Sequence, residues 1–206
     1  MEMIKRMVEE EIARVRVIHD DCSDEPEIGF TLLHWHRRYN MHSDATKIQP
    51  DDYRADDDEE LEVTREQFFD RIADDHDLVC WWDLYMYEHG GSALSVGKGF
   101  SCTWDSGQVG IVGWTKEQWK TWWAEEWTGT DKQKEQALAA IICQIETLDH
   151  WHNGRVYGYI VTDDDGEEGD SCWGFYGLDW ENGMADNIDE KYHDDLREAL
   201  NNPEDR

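Results

Sequence analysis

The sequence predicts an α+β protein with an antiparallel sheet of about five strands and three to five helices. Three observations support this class. Aromatic, partly alternating segments are bounded by Gly, Asn and Asp, which is typical of strands. Two Thr-x-x-Gln capping boxes, at Thr64 and Thr115, predict helix starts. The strands and helices occur in separate runs, which favours α+β over a parallel α/β fold.

Residues 1–76 are predicted to form an acidic N-terminal extension. We expect a charged helix over 1–16 that leads into a short apolar, alternating stretch. The segment that follows is irregular, apart from a short strand over 31–36. Residues 51–62 hold eight acidic residues and one arginine, which predicts a solvated loop. The Thr64 capping box then starts a helix over 65–75.

An α+β core that carries the sequence motifs is predicted over residues 77–206. Its first strand is the aromatic run 78–88, which the turn His89-Gly-Gly91 follows. A glycine-punctuated loop covers 97–107, and an acidic turn covers 163–170. The other predicted strands are 92–95, 108–114, 155–162 and 171–177.

Three helices are predicted in this core. The Thr115 capping box starts one that ends near Trp127, and Asp131 caps a longer one that ends near His152. The last predicted helix is charged and covers 186–200. The long helix carries an apolar stripe that consists of Leu138, Ile141, Ile142, Ile145 and Leu148.

The charge of the chain restricts its partners. It has 49 acidic and 19 basic residues among 206, which gives a formal net charge of −30. Nucleic acid and anionic membranes are bound by Lys and Arg, so neither is expected as a direct partner. A basic protein surface is the complementary partner. The 12 tryptophans exclude a wholly disordered chain, because strongly charged disordered chains are poor in aromatics.

A reducing cytosol is the expected compartment. No run of 18 apolar residues predicts a transmembrane helix, and residues 1–11 lack the apolar stretch of a signal peptide. The five cysteines are an odd number without a Cys-x-x-Cys pair, which favours reduced thiols. Walker, GxSxG and HExxH motifs are absent from the sequence, and no cofactor is predicted.

Several long motifs lie between His89 and Met184. They are His89-Gly-Gly91, Phe100-Ser-Cys-Thr-Trp-Asp-Ser-Gly-Gln-Val-Gly110, Gly154-Arg-Val-Tyr-Gly-Tyr159, Asp170-Ser-Cys-Trp-Gly-Phe-Tyr-Gly177 and Asn182-Gly-Met184. Over about half of the chain, this pattern resembles an uncharacterised family of bacteriophage and mobile-element proteins. The resemblance implies a phage or plasmid setting, and therefore a host-cell cytosol, but no mechanism.

The loop sequence WDSGQ at 104–108 has two interpretations. As a site, it would use Cys102 as a nucleophile, Asp105 as a general base or metal ligand, and His89 as the partner of the thiol. As a turn, its polar side chains would accept backbone N–H bonds and Trp104 would pack into the core. The turn is favoured, since Gly, Asp and Ser are common turn residues.

Two His-x-His pairs have a spacing that metal sites use. His34 and His36 would share one face of a strand. His150 and His152 end a predicted helix, where side chains two residues apart diverge. The side chains that would complete a tetrahedral site are Cys143, Cys172 and Asp149. No closed four-ligand pattern is present in the sequence, so no metal is predicted.

Five tryptophans, at 114, 119, 122, 123 and 127, lie on or near the helix of the second capping box. Trp119, Trp122 and Trp123 have i, i+3, i+4 spacing, which predicts packing in the core. Trp127 extends this stripe, so an alternative is that part of it contacts a partner.

The leading functional prediction is an anti-defence protein of phage type that acts as an acidic DNA mimic. It would bind the basic surface of a host nucleic-acid-binding enzyme, with carboxylates in place of phosphates. A globule of this length is about 43 Å across, and that length of duplex carries about 25 charges, close to the net charge. The predicted contacts are Asp51, Asp52, Asp56, Asp57, Asp58, Glu59, Glu60, Glu62, Asp163, Asp164 and Asp165.

Two alternatives belong to other classes. The first is a salt-adapted acidic protein of a halophile or its virus, because Asp (27) exceeds Glu (22) and Lys is only 8. Its charge would then reflect the solvent rather than a partner. The second is a small hydrolase that uses the WDSG loop. No recognised catalytic spacing is present in the sequence, so enzymatic activity is not favoured.

Overall fold

A computed structural model of the chain describes residues 14–53, 64–163 and 166–204. Its internal contacts divide the chain into two compact units. Unit 1 comprises 1–24 and 150–206, and unit 2 comprises 25–149. The α+β class is confirmed, but the strands form two sheets, of three and five strands, rather than one. The helix predicted over 1–16 lies outside the described residues up to residue 13, and strand begins at Val15.

The described residues form eight strands and five α-helices. The strands are β1 (Val15–His19), β2 (Thr31–His34), β3 (Thr46–Lys47), β4 (Leu78–Glu88), β5 (Ser92–Val96), β6 (Ser106–Thr115), β7 (Val156–Thr162) and β8 (Glu168–Tyr176). The helices are α1 (Arg65–Asp75), α2 (Lys116–Trp123), α3 (Asp131–His152), α4 (Met184–Asn187) and α5 (His193–Leu200). Short 3-10 turns occur at Pro50–Tyr53, Trp180–Asn182 and Glu190–Tyr192.

Both predicted capping boxes are present. The Thr64 hydroxyl accepts the Gln67 N–H, and the Gln67 side chain accepts the Thr64 N–H, so α1 begins where the sequence indicates. Thr115 and Gln118 make the same pair of bonds at α2. The prediction that this second helix reaches Trp127 is wrong. Its last turn closes through Ala124, whose φ of 53° is left-handed and ends the helix.

The single helix predicted over 186–200 is also wrong, because the segment is divided into α4, a 3-10 turn and α5. Ile188 adopts an extended conformation, with φ −103° and ψ 149°, and this ends α4. The Asp189 carboxylate then accepts the Lys191 N–H and starts the turn. An Asp side chain that bonds to nearby backbone N–H groups competes with helical hydrogen bonds. The charged, helix-like sequence is therefore interrupted at Asp189.

Unit 1 contains an antiparallel sheet in the order β1-β7-β8. Its central strand β7 is almost fully buried, and its core includes Val17, Tyr159 and Met184. A Cβ on Gly158 would overlap the Trp173 ring, so the VYGY and DSCWGFYG motifs meet in the sheet. These motifs are therefore accounted for by packing within unit 1.

The NGM motif shapes the chain after β8. The Asn182 side chain donates to the Gly177 carbonyl at 2.9 Å and accepts the Met184 N–H at 2.9 Å. Gly183 has a φ of 95°, a conformation that favours glycine, and Met184 is fully buried at the start of α4. The motif thus turns the chain so that Met184 enters the core.

Unit 2 contains a sheet in the order β3-β2-β6-β4-β5, in which only β2 and β3 are parallel. The central strand β6 is buried from Val109 to Trp114. The Trp114 Nε1–H donates to the Ala137 carbonyl of α3 at 3.1 Å. In the predicted apolar stripe of α3, Ile141, Ile145 and Leu148 are buried, Leu138 is half-buried, and Ile142 is exposed.

The contacts divide the chain near residues 24 and 149, whereas the sequence predicted one boundary after residue 76. Strand β1 pairs with β7, and β2 pairs with β6, so the N-terminal 53 residues contribute strands to both sheets. Among the described residues, no helix has both the length and the apolar composition needed to span a membrane.

Gly110 provides a test of the packing around β6. A Cβ at this position would overlap the Leu33 carbonyl of β2, whereas a Cβ on Gly107 of the same strand has no neighbour within 4 Å. We expect Gly110→Ala to lower the free energy of unfolding by about 1–3 kcal/mol, as overpacking does. Gly107→Ala is the matched control and should change it by less than about 1 kcal/mol. Urea unfolding of both variants measures the difference, and equal midpoints would contradict this packing.

Candidate partner-binding surface

The negative charge is shared equally between the two units. Unit 1 has 23 acidic and 8 basic residues, and unit 2 has 26 acidic and 11 basic residues, so each has a formal net charge of −15. Net charge therefore does not distinguish one unit from the other. A binding surface is distinguished instead by how its carboxylates are arranged locally.

Helix α1 presents a row of carboxylates on its outer face. Glu66, Asp70 and Asp74 are four residues apart and exposed, while Phe69 and Ile72 are buried on the core-facing side of the helix. A four-residue step advances a helix by about 6 Å. One strand of duplex DNA presents a phosphate every 3.4 Å along its axis. The row therefore corresponds in spacing to about every second phosphate of one strand.

The arginines of α1 do not neutralise this row. Arg65 Nη2 donates to Asp83 Oδ2 at 2.7 Å, and its guanidinium lies over the Phe69 ring. Arg71 donates to the Tyr53 carbonyl at 3.4 Å. Within the described part of the chain, no cation lies within 4 Å of the carboxylates of the row. Its charge is thus available to a partner.

An open cavity of about 520 Å³ adjoins the end of this row. Asp74 belongs to both, and the lining also contains the carboxylates of Asp77 and Glu117 together with Lys116 and His76. Asp77 follows α1 with a φ of 55°. We use the name α1 acidic surface for five exposed carboxylates: Glu66, Asp70, Asp74, Asp77 and Glu117.

The acidic contacts predicted from the sequence are only partly described. Asp51 and Asp52 are exposed in the 3-10 turn Pro50–Tyr53, and Asp163 is exposed at the end of β7. The Asp163 side chain accepts the Glu167 N–H at 3.0 Å, which closes the acidic turn. The predicted contacts that lie outside the described residues are Asp56, Asp57, Asp58, Glu59, Glu60, Glu62, Asp164 and Asp165.

The three residues of the hydrolase hypothesis do lie together. Asp105 Oδ2 is 3.6 Å from Cys102 Sγ and 3.5 Å from His89 Nδ1. The carboxylate is therefore the group that contacts both the thiol and the imidazole. A nucleophilic pair of the usual kind requires the base to contact the nucleophile and the third group to orient the base. Asp105 thus lies where the hypothesis places its general base, whereas His89, expected as the partner of the thiol, contacts the carboxylate instead.

Trp104 was expected to pack into the core, and that expectation is wrong. Its side chain is 94 % exposed. The loop around it is held by two bonds to main-chain carbonyls, since the Asp105 carbonyl accepts the Glu88 N–H at 2.7 Å and the Cys102 carbonyl accepts from the Ser106 hydroxyl. The turn interpretation expected polar side chains to accept backbone N–H bonds, whereas the Ser106 hydroxyl donates and the Asp105 main-chain carbonyl accepts. The loop directs its tryptophan into solvent.

The Gln108 side chain, in the GQVG sequence after the loop, links helix α1 to the sheet. Its Nε2 donates to Asp83 Oδ1 at 2.8 Å, and its Oε1 accepts from Arg65 at 3.0 Å. Tyr85 donates to the same Asp83 carboxylate at 3.1 Å. Burial, and then the nearby Asp83 charge, raises the pKa of Tyr85. This network joins α1 to β4 and β6, so Gln108 and Asp83 have a structural role.

His34 and His36, whose spacing is one that metal sites use, do not share one face of a strand. Strand β2 ends at His34, so strand alternation does not extend to His36. His34 is fully buried and contacts Asn40 at 3.3 Å, whereas His36 contacts Glu88 at 3.2 Å. Within residues 14–53, 64–163 and 166–204, no group of three or more His, Cys, Asp or Glu residues is arranged to hold a metal ion.

The tryptophan stripe is divided between the core and the surface. Trp119 is fully buried and stacks on Trp123, with ring centroids 3.9 Å apart. Trp122 is 52 % exposed, so the prediction that all three residues pack in the core is wrong for this one. A Cβ on Gly29 would overlap the Trp122 ring, so one face of that ring covers backbone.

Comparison with protein-family models, curated proteins and solved structures finds no match to this chain. The resemblance of its motifs to phage and mobile-element proteins therefore stays a prediction.

His34 predicts a specific pH dependence of stability. Burial lowers its pKa from 6.5, although the hydrogen bond to Asn40 opposes this shift. Its Nδ1 is buried without a hydrogen-bond partner among the described residues. The unfolded chain therefore binds a proton more readily than the folded chain, and stability present above pH 6.5 is lost as the pH falls below it.

We expect His34→Gln to remove this contribution, by up to about 1.4 kcal/mol per pH unit. Urea unfolding from pH 7.5 to 5.5 should give curves for wild type and variant that converge on acidification. His89→Gln, which replaces an imidazole that is 73 % exposed, controls for the loss of a histidine as such. A constant difference between wild type and His34→Gln at every pH would contradict the assignment.

Proposed function

We propose that this protein binds a basic surface of a nucleic-acid-binding protein and excludes nucleic acid from it. The observation that carries the proposal is the α1 acidic surface, in which a helical row of carboxylates continues into an acidic cavity. The Lys and Arg residues that bind phosphates are complementary to such a surface. The target class is a restriction enzyme, a CRISPR effector or another nuclease, and the motif resemblance to phage and mobile-element proteins supports an anti-defence role in a host cell.

The mechanism is steric and electrostatic. A net charge of −30 attracts a basic groove over the screening length of the solution and speeds the encounter. On contact, carboxylates of the row replace phosphates and release the ions that screened both surfaces. Occupation of the groove then prevents nucleic acid from entering it.

Two alternatives make different predictions. A salt-adapted protein would use its charge toward solvent, and its folding would require molar salt. A small hydrolase would lose activity when Cys102 or Asp105 is replaced. The imidazole expected as the partner of the thiol contacts Asp105 instead and is 73 % exposed, so binding has the stronger support.

Competition with duplex DNA tests the proposal. The tagged protein is bound to host lysate at low salt and eluted with duplex DNA. We expect the duplex to release a nucleic-acid-binding protein, because both ligands occupy one surface. A partner that stays bound in excess duplex would contradict the proposal, and so would the absence of any partner together with folding that requires molar salt.

The location of the site is tested by neutralising the α1 row. We expect Glu66→Gln, Asp70→Asn and Asp74→Asn together to weaken binding of the released partner by about tenfold or more, since each loses a charge contact. The matched control is Asp186→Asn, Glu190→Gln and Glu198→Gln, which removes the same charge from exposed positions of unit 1. Equal weakening by both variants would show that the α1 row is not the site.

A further inference from the structure

Trp104 is the most exposed large apolar side chain among the described residues. It is 94 % exposed, and the other exposed large apolar side chains are Tyr39, Trp122 and Ile142, at 38–52 %. An indole is among the largest apolar groups in proteins and usually buries most of its area. Tryptophan is also enriched among the residues that dominate binding energy at interfaces. Neither the acidic surface nor the core packing explains its position.

The exposure of Trp104 is fixed by the structure around it. The Glu88 N–H donates to the Asp105 carbonyl, and the Ser106 hydroxyl donates to the Cys102 carbonyl, on the C-terminal and N-terminal sides of the indole. Ser106 is also the first residue of the central strand β6. Because the backbone of this loop is already held in place, little backbone entropy is lost when a partner covers the indole.

The surroundings of Trp104 favour a cationic contact over an apolar one. Its neighbours along the chain, Ser101, Thr103 and Gly107, are exposed and are not apolar. Asp105 follows it directly, and its side chain is 39 % exposed. An exposed indole on a chain with a net charge of −30 is suited to a guanidinium or ammonium group, through cation–π attraction and long-range charge attraction.

We infer that Trp104 receives an arginine or lysine side chain of the partner, whose charged group lies over the face of the indole. This inference rests on the proposed function, because the basic surface of a nucleic-acid-binding protein supplies such side chains. Trp104 would then supply a short-range contact to an interface whose other contacts, between exposed charges, are screened by salt. Guanidinium groups are the preferred occupant, since they are planar and stack on aromatic faces.

The test measures binding of a fluorescent oligo-arginine peptide to the full chain at low salt. We expect Trp104→Ala to weaken binding about three- to thirtyfold, and Trp104→Phe to weaken it less, because Phe keeps a smaller π face. Trp104→Leu, which keeps apolar area without a π face, should bind as weakly as Trp104→Ala. The same peptide with citrulline in place of arginine should bind wild type and Trp104→Ala equally.

Trp122→Ala is the control for loss of an exposed tryptophan, and it should bind the peptide within about twofold of wild type once its fold is verified by urea unfolding. Wild-type binding by Trp104→Ala, or by Trp104→Leu, would overturn the inference. If duplex DNA still displaces the peptide in that case, the proposed function survives and only the role of Trp104 fails. If wild type does not bind the peptide at all, both fail.

Discussion

The central position of β6 is the constraint on which the rest of unit 2 depends. The strand pairs with β2 on one side and β4 on the other, and side chains on it would overlap both neighbours at two positions. Gly110 lies against the Leu33 carbonyl, and Gly113 lies against the Cys80 carbonyl. Glycine removes the Cβ at these points, so three strands can pair at normal spacing. Trp114, on the same strand, then bonds to α3.

The two ends of β6 carry the features proposed for function. At its start, the Asp105 and Ser106 bonds hold the loop that exposes Trp104. At its end, Thr115 caps α2, and Glu117 in the first turn of that helix lines the acidic cavity beside α1. A buried strand of fixed register therefore positions both the proposed anchor and part of the acidic surface. Sites on such elements keep their geometry better than sites on long free loops.

Local signals predicted several elements correctly. The Thr64 capping box, which involves side chains three residues apart, predicts the start of α1. The aromatic run 78–88 predicts strand β4. The division into two sheets has no local sequence signal, because β1 pairs with β7, more than 130 residues away. The early end of α2 has none either, because Ala124, rather than glycine, adopts the left-handed conformation.

The candidate site was predictable only in part. The spacing of Glu66, Asp70 and Asp74 is visible in the predicted helix, but the denser acidic run at 51–62 gives the stronger sequence signal. The addition of Glu117 could not be inferred, because the cavity forms between segments that are distant in sequence. The exposure of Trp104 was opposite to expectation, since hydrophobicity alone places an indole in the core.

The salt dependence of binding tests the central claim most directly. The affinity of the protein for the partner that duplex DNA releases is measured from 50 to 500 mM NaCl, next to the affinity of that partner for the duplex. Replacement of phosphates by carboxylates predicts that both affinities fall steeply with salt, along lines of similar slope in a logarithmic plot. An affinity for the protein that hardly changes over this range would contradict the account, since the interface would then be apolar rather than electrostatic.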